Sequence, residues 1–252
     1  MFEKLKEKLA GLDYEKSVKS FFAKCRWFNI QLTTAFGIVT TIHWSVPAFL
    51  LLLLFVDPLQ AGIAAMAFLS VVPHEYGHAL AARWFGIKTK AIVLYPLGGV
   101  AMLIPNKEIK LERWREFVVA AAGPAVSLGL ALLGLIMSLA ATRPNPAHFT
   151  VQDINFWFWL FVVNAVMFLF NMIPAFPMDG GRMLRAVINL FVGHVRSTQY
   201  AYYCSFVFCF LIGTLGIIKG YFSLTITMMV VHILGGLEYA NVKRQAAQEE
   251  KT

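Results

Sequence analysis

Charge is what this sequence has least of. Only 14% of its 252 residues are Asp, Glu, Lys or Arg, against about a quarter in soluble domains, and that deficit excludes an ordinary water-soluble globule. Cysteine is scarce as well. Cys25, Cys204 and Cys209 are odd in number and spaced like no disulfide or metal framework. There are no low-complexity tracts and no internal repeat of the transporter kind. No cleavable signal peptide is expected, because the first long apolar run starts only after about 40 residues.

What fills the chain instead is apolar, 58% of it. A spanning helix needs roughly 20 mostly apolar residues, and six stretches qualify: 43–59, 60–84, 117–141, 153–173 (running on toward 190), 200–218 and 221–239. Trp44, Trp84, Trp157, Tyr200, Tyr221 and Tyr239 sit near their ends, as an aromatic belt does. The expected fold is an all-α polytopic membrane protein of about six transmembrane helices. Its divisions are an amphipathic membrane-surface segment over 1–30, a six-helix domain over 31–240 and a short polar tail over 241–252. In the first segment Phe2, Leu5, Leu9 and Leu12 recur at helical spacing between lysines, which fits either a helix in the headgroups or a solvated tether.

The net charge of +8 raises nucleic acid as a partner, but its distribution argues against that. Twenty of the 22 Lys and Arg fall before residue 44, between Arg83 and Arg115, between Arg182 and Arg196, or after Tyr239. These are alternate connections, and basic residues mark the cytoplasmic side. Both termini are therefore expected inside, in a cell membrane, with the lipid bilayer as the partner that the charge serves.

Between the second and third spans, residues 91–103 are apolar but interrupted by Pro96, Gly98 and Gly99. Too short and too broken to cross, this segment predicts short strands or a re-entrant hairpin packed over a cavity. In the third span Gly123, Ser127, Ala131 and Gly134 put small residues on one face, a helix-packing surface.

His74-Glu75-Tyr76-Gly77-His78 carries the chemistry. Residues four apart share a helix face, so both imidazoles can reach one ion, with Glu75 in reach of a water bound there. All three ionisable groups fall inside an apolar span, where each costs at least about 2.5–3.5 kcal/mol. Hydrogen-bonded bundle histidines would leave Glu75 without a purpose. A catalytic zinc wants a third protein ligand. Among Asp57, Glu75, Asp153, Asp179 and Glu238, only Asp179 lies at matching depth in a broken helix, where Pro174, Pro177, Gly180 and Gly181 interrupt the fourth span.

These two motifs, with Asn171-x-x-Pro174-x-x-Pro177-x-Asp179-Gly180, resemble the site-2 protease family of intramembrane zinc metalloproteases. The likeness extends to His43-Trp44-Ser45, Pro96-x-Gly98-Gly99 and Gly123-Pro124. The resemblance implies one Zn2+ per chain on His74, His78 and Asp179, with Glu75 activating water and Asn171 polarising the substrate carbonyl. It implies proteolysis of transmembrane protein substrates, of the anti-sigma-factor or membrane-tethered-regulator kind. Two features depart from the family. Ser127 stands where relatives often have Asn, and no room is left for their PDZ or CBS domains. His43 reads equally as a site or an interface residue, His232 more readily as a structural residue bonding a neighbouring carbonyl than as part of the site, and Arg182 and Arg185 as headgroup-facing cations. An intramembrane metal or proton transporter using the same His, Glu and Asp is the competing function, but the outer halves of the spans lack the polar groups of a pathway.

Overall fold

The computed structural model of the chain describes residues 29–95, 98–103, 113–141 and 155–249. The expected surface helix over 1–28 and Asp153 lie outside them. The first element is a β-hairpin that the sequence reading did not anticipate. Strands β1 (Asn29–Ala35) and β2 (Ile38–His43) pair antiparallel, with Ile30 opposite Ile42 and Ala35 opposite Ile38. Phe36 and Gly37 join them with φ of 54° and 75°. Two positive φ values make the tight loop whose twist matches that of its strands.

Helices α1 (Ser45–Val56) and α2 (Pro58–Trp84) form a crossover from β2 to β3 (Thr89–Tyr95), which pairs parallel to β2 with Val39 opposite Ala91. A parallel pair requires such a connection. Asp57 ends α1 and caps α2, accepting from the Leu59 amide at 2.9 Å, and Pro58 takes the first helical position, where no amide is needed. Strand β4 (Gly98–Leu103) pairs antiparallel with β3 and gives the sheet order β1-β2-β3-β4. Thus 91–103 does form strands, as expected, while the architecture is helical with a four-stranded sheet rather than purely α. Ile38, Ile92 and Leu94 pack on Ala79, with Tyr76 against them, and Tyr76 bonds the Thr40 hydroxyl at 2.7 Å. The sheet therefore lies against the turn of α2 that carries the histidines.

The remaining helices are α3 (Arg113–Ala141), α4 (Phe156–Asn171), α5 (Asp179–Val192), α6 (His194–Ile218) and α7 (Phe222–Glu249). Among the described residues, Trp114–Ala141, His194–Ile218 and Phe222–Gln248 are long and apolar enough to cross a membrane. Helices α1 and α4 are apolar but shorter, with 12 and 16 residues, and α2 has 27. The small-residue face of α3 is inside as predicted: Gly123, Ser127, Ala131 and Gly134 are all buried.

The fourth apolar stretch breaks where its prolines require. Residues 172–178 form an irregular turn whose Ala175 and Phe176 are buried, with the Phe176 amide donating to Ser205 Oγ of α6 at 2.7 Å. Helix α5 starts afresh at Asp179 and buries Gly180, Gly181, Arg185, Ala186 and Asn189 while exposing Leu190 and Phe191. Arg185 does not face headgroups. It is 6% exposed; Glu116 of α3 accepts from its Nε at 2.8 Å and also from its Nη2, and Glu238 of α7 lies 3.4 Å from its Nη1.

Candidate metal centre

The centre is assembled by α2, α3 and the start of α5. His74 and His78 stand one turn apart on α2, 4% and 7% exposed. Their rings meet edge to face, with centroids 4.8 Å apart, and their Nε2 atoms lie 3.1 Å from each other. Asp179, freed to open α5 by the break before it, brings Oδ2 to 3.2 Å from both nitrogens. Helix α3 holds the opposite side of each ring: Ser127 Oγ is 2.9 Å from His74 Nδ1, and the Val119 carbonyl is 2.7 Å from His78 Nδ1.

That arrangement fits a cation by its donor chemistry. A carbonyl only accepts, so His78 Nδ1 carries a proton, and in its neutral form the ring offers the Nε2 lone pair to a cation. This lone pair, the other imidazole nitrogen and a carboxylate oxygen all point at one place. Three acceptors about 3 Å apart are the spacing of a tetrahedral site with bonds of roughly 2 Å, the geometry of zinc on nitrogen and oxygen ligands. Among the described residues they are the one His/Cys/Asp/Glu group placed to hold a metal.

Glycine makes the approach possible. A Cβ on Gly123 would lie 2.1 Å from His78 Nε2 and 2.8 Å from His74 Nε2, inside the atoms that converge. One on Gly99 of β4 would lie 2.6 Å from Glu75 Cγ. The backbone of an edge strand is thus laid directly on the carboxylate that follows His74.

The other candidates disperse. Asn171 closes α4 and donates to the Met167 carbonyl of its own helix at 3.0 Å. His43 sits 2.6 Å from Ser45 Oγ and tilts against the Tyr95 ring at 5.3 Å. His232 stacks on Tyr202 in the α6–α7 pair and takes no part in the centre. Sequence reasoning missed Asn164, fully buried and donating to Ser70 Oγ at 3.0 Å. An Asn in the middle of a Phe- and Trp-rich span was the available signal. It also missed the tie from Ser127 to His74, since a serine on a small-residue stripe looks like packing.

The sequence profile of peptidase family M50 matches residues 62–150 and 145–214, well over half of the chain. The chain belongs to peptidase family M50. A zinc metalloprotease of Methanocaldococcus jannaschii is 34% identical over 182 residues, 69% of this chain and 50% of its own length. A protein of Synechocystis sp. is 38% identical over 131 residues, 52% of this chain and 32% of its own. The solved site-2 protease from Methanocaldococcus jannaschii has a similar fold, with a TM-score of 0.62 at 28% identity, covering 84% of this chain and 95% of that one. The chain spans half the length, or less, of the two sequence relatives. Family membership and the apolar helices make it a membrane protein, and the family's metal is zinc, for which His74, His78 and Asp179 are placed.

Proposed function

We propose that this protein is an intramembrane zinc metalloprotease that hydrolyses peptide bonds within or beside the transmembrane segments of other membrane proteins. The observation that carries this is the convergence of His74 Nε2, His78 Nε2 and Asp179 Oδ2 beside Glu75, a carboxylate that belongs to the same helix turn yet stays out of the cluster. A zinc ion held there acidifies water and polarises a peptide carbonyl. Glu75 takes the proton of the attacking water and delivers it to the leaving amine. The Asn171 amide, with one N–H spent on Met167, keeps a second for the substrate carbonyl. A structural metal site needs no base, and the cavity of about 540 Å³ between α2, α3 and α4 is lined almost wholly by apolar residues such as Ile63, Met66 and Trp159. Both points favour hydrolysis over metal or proton transport.

The chain crosses six times in this reading, with α1, α2 and α4 joining the three long apolar helices and both termini cytoplasmic. Single cysteines at Lys88 and Asn145 check the sidedness: labelling of Lys88 from outside overturns it. The substrates are single transmembrane segments, including membrane-tethered regulators. A helical segment hides its carbonyls, so it has to unwind, and its freed backbone groups then need partners in a place without water. The open edge of β4, whose Gly99 lies on Glu75, offers them by strand addition. Proline along β4 should cut cleavage at alternate positions and leave zinc content unchanged; cleavage indifferent to all of them removes the strand from the reading. At Val93 of β3 the same change would break pairing on both sides, since this strand is interior.

The deciding experiment is Glu75→Gln. Cleavage of a reconstituted transmembrane substrate should fall by at least about 10²–10⁴-fold, the general-base contribution, while zinc content stays at the wild-type level. Near-normal cleavage by the variant, or zinc flux into proteoliposomes without cleavage, overturns the reading.

A further inference from the structure

The cavity of about 540 Å³ between α2, α3 and α4 lies apart from the substrate strand. At about 100° per residue, Pro73 at its inner end points roughly 200° around α2 from Glu75, so the cavity opens on a different flank from the one that meets the sheet. One wall runs along α2 from Pro58 to Pro73, about 22 Å at 1.5 Å per residue, with Phe156, Trp159 and Leu160 of α4 facing it. Ser70 and the Trp159 indole supply the only polar side-chain atoms of the lining, and Ser70 Oγ already accepts from Asn164 at 3.0 Å. A lining of this kind does not hold water, and a void left empty forfeits contacts on every wall. Gly62, on the same wall, is a further sign that the space is kept open. Gly77, Gly123 and Gly134 have a packing reason, since a Cβ on each would meet another atom within 3 Å. A Cβ on Gly62 would meet nothing within 4 Å. Glycine weakens a helix interior, and here no described residue needs the room it leaves.

We propose that this groove binds one acyl chain of a bilayer phospholipid, lying along α2 past Gly62 with Trp159 against it. Size selects that occupant. Spread along the 22 Å wall, 540 Å³ is about 25 Å² in section, whereas a helix 10–12 Å across takes roughly 80–110 Å². A polymethylene chain, whose carbons keep their neighbours at about 4 Å, takes roughly 20 Å². A transmembrane helix is too wide for the groove, and a single hydrocarbon chain fills it. Length agrees, because 22 Å is one leaflet and a little more of a core about 30 Å thick. The chain would fill the flank of α2 up to Pro73, whose missing amide leaves the helix one backbone bond short just before His74. The proposal needs only that the protein is a membrane protein and does not depend on the proteolytic reading.

The test is fluorescence quenching of the full chain, stripped of lipid in detergent and titrated with phosphatidylcholine brominated on one acyl chain. Bromine quenches an indole that it touches. Quenching should saturate at one lipid per protein, and the saturating phase should be lost in Trp159→Phe, which removes the reporter. Gly62→Leu keeps the reporter and fills the groove, so it should lose the same phase while thermal stability stays equal or rises. Quenching that grows with lipid without saturating, or a saturating phase that Gly62→Leu leaves unchanged, overturns the proposal. Displacement of the bound lipid by a single-spanning helical peptide also overturns it, in favour of a protein partner. Should Gly62→Leu fail to fold, Ala65→Leu on the same wall takes its place, and a saturating phase unchanged in that variant overturns the proposal equally.

Discussion

The α2–α3 pair and the α6–α7 pair each enclose a histidine between two long helices. In the first, both nitrogens of His74 and His78 are spoken for: one on each ring meets α3, and the other meets the converging acceptors. In the second, His232 lies between the Tyr202 and Phe206 rings with centroids 5.5 and 5.3 Å away, and its buried Nδ1 has no hydrogen-bond partner among the described residues. Packing differs in the same sense. Helix α3 meets the imidazoles through the bare Cα of Gly123, whereas a Cβ on Gly213 of α6 would come no nearer than 3.7 Å to Met228. A histidine at membrane depth is therefore no sign of a site. What marks one is a second helix that fixes the ring and further acceptors that share its lone pair.

The largest expected effect of that difference is at glycine. Gly123→Ala puts a methyl where the His78 lone pair points, so zinc should be lost and cleavage with it, while Gly213→Ala should leave both unchanged. Metal analysis of the two purified variants is enough, and zinc retained in Gly123→Ala breaks the comparison. A smaller effect is expected at Ser127→Ala, which frees His74 Nδ1 but keeps every ligand. Loss of such a partner costs about 10–100-fold in metal affinity, read by chelator competition. Affinity unchanged there would reduce Ser127 to packing. The smallest is expected at His232→Phe. Cleavage and zinc should not move, and removing an unpaired buried nitrogen, which costs about 1–3 kcal/mol, should leave thermal stability equal or higher. A loss of zinc in this variant would bring the α6–α7 pair into the centre after all.

The clustering of His74, His78 and Asp179 was legible because these residues break local rules. Ionisable groups stand in an apolar span, and Asp179 follows two prolines inside what would otherwise be a continuous helix. Its supports were not, because each is an ordinary residue whose partner is distant in sequence: Ser127 meets His74 across 53 positions and Arg185 meets Glu116 across 69. The β1–β2 hairpin had a signal, β-branched residues on both sides of Phe36-Gly37, but its apolar run merges into the first helix and reads as the approach to a span. Parallel pairing of β2 with β3 leaves no local trace, since it depends on α1 and α2 folding back between them. The strands over 91–103 were legible from their own breakers, and their place beside the centre followed from their position directly after the histidine helix.

Arg185 has a consequence for the order of assembly. A buried charge left without a partner is costly, and Glu116, at the start of α3, precedes Arg185 in the chain. Glu238 comes 53 residues later and keeps 45% of its side chain exposed. As the protein is synthesised, α3 is thus available to receive α5 before α7 exists, and the last helix closes on an arginine that Glu116 already pairs. The chain can stow its most awkward cation early and leave α7 to dock at the end on a ready-made partner.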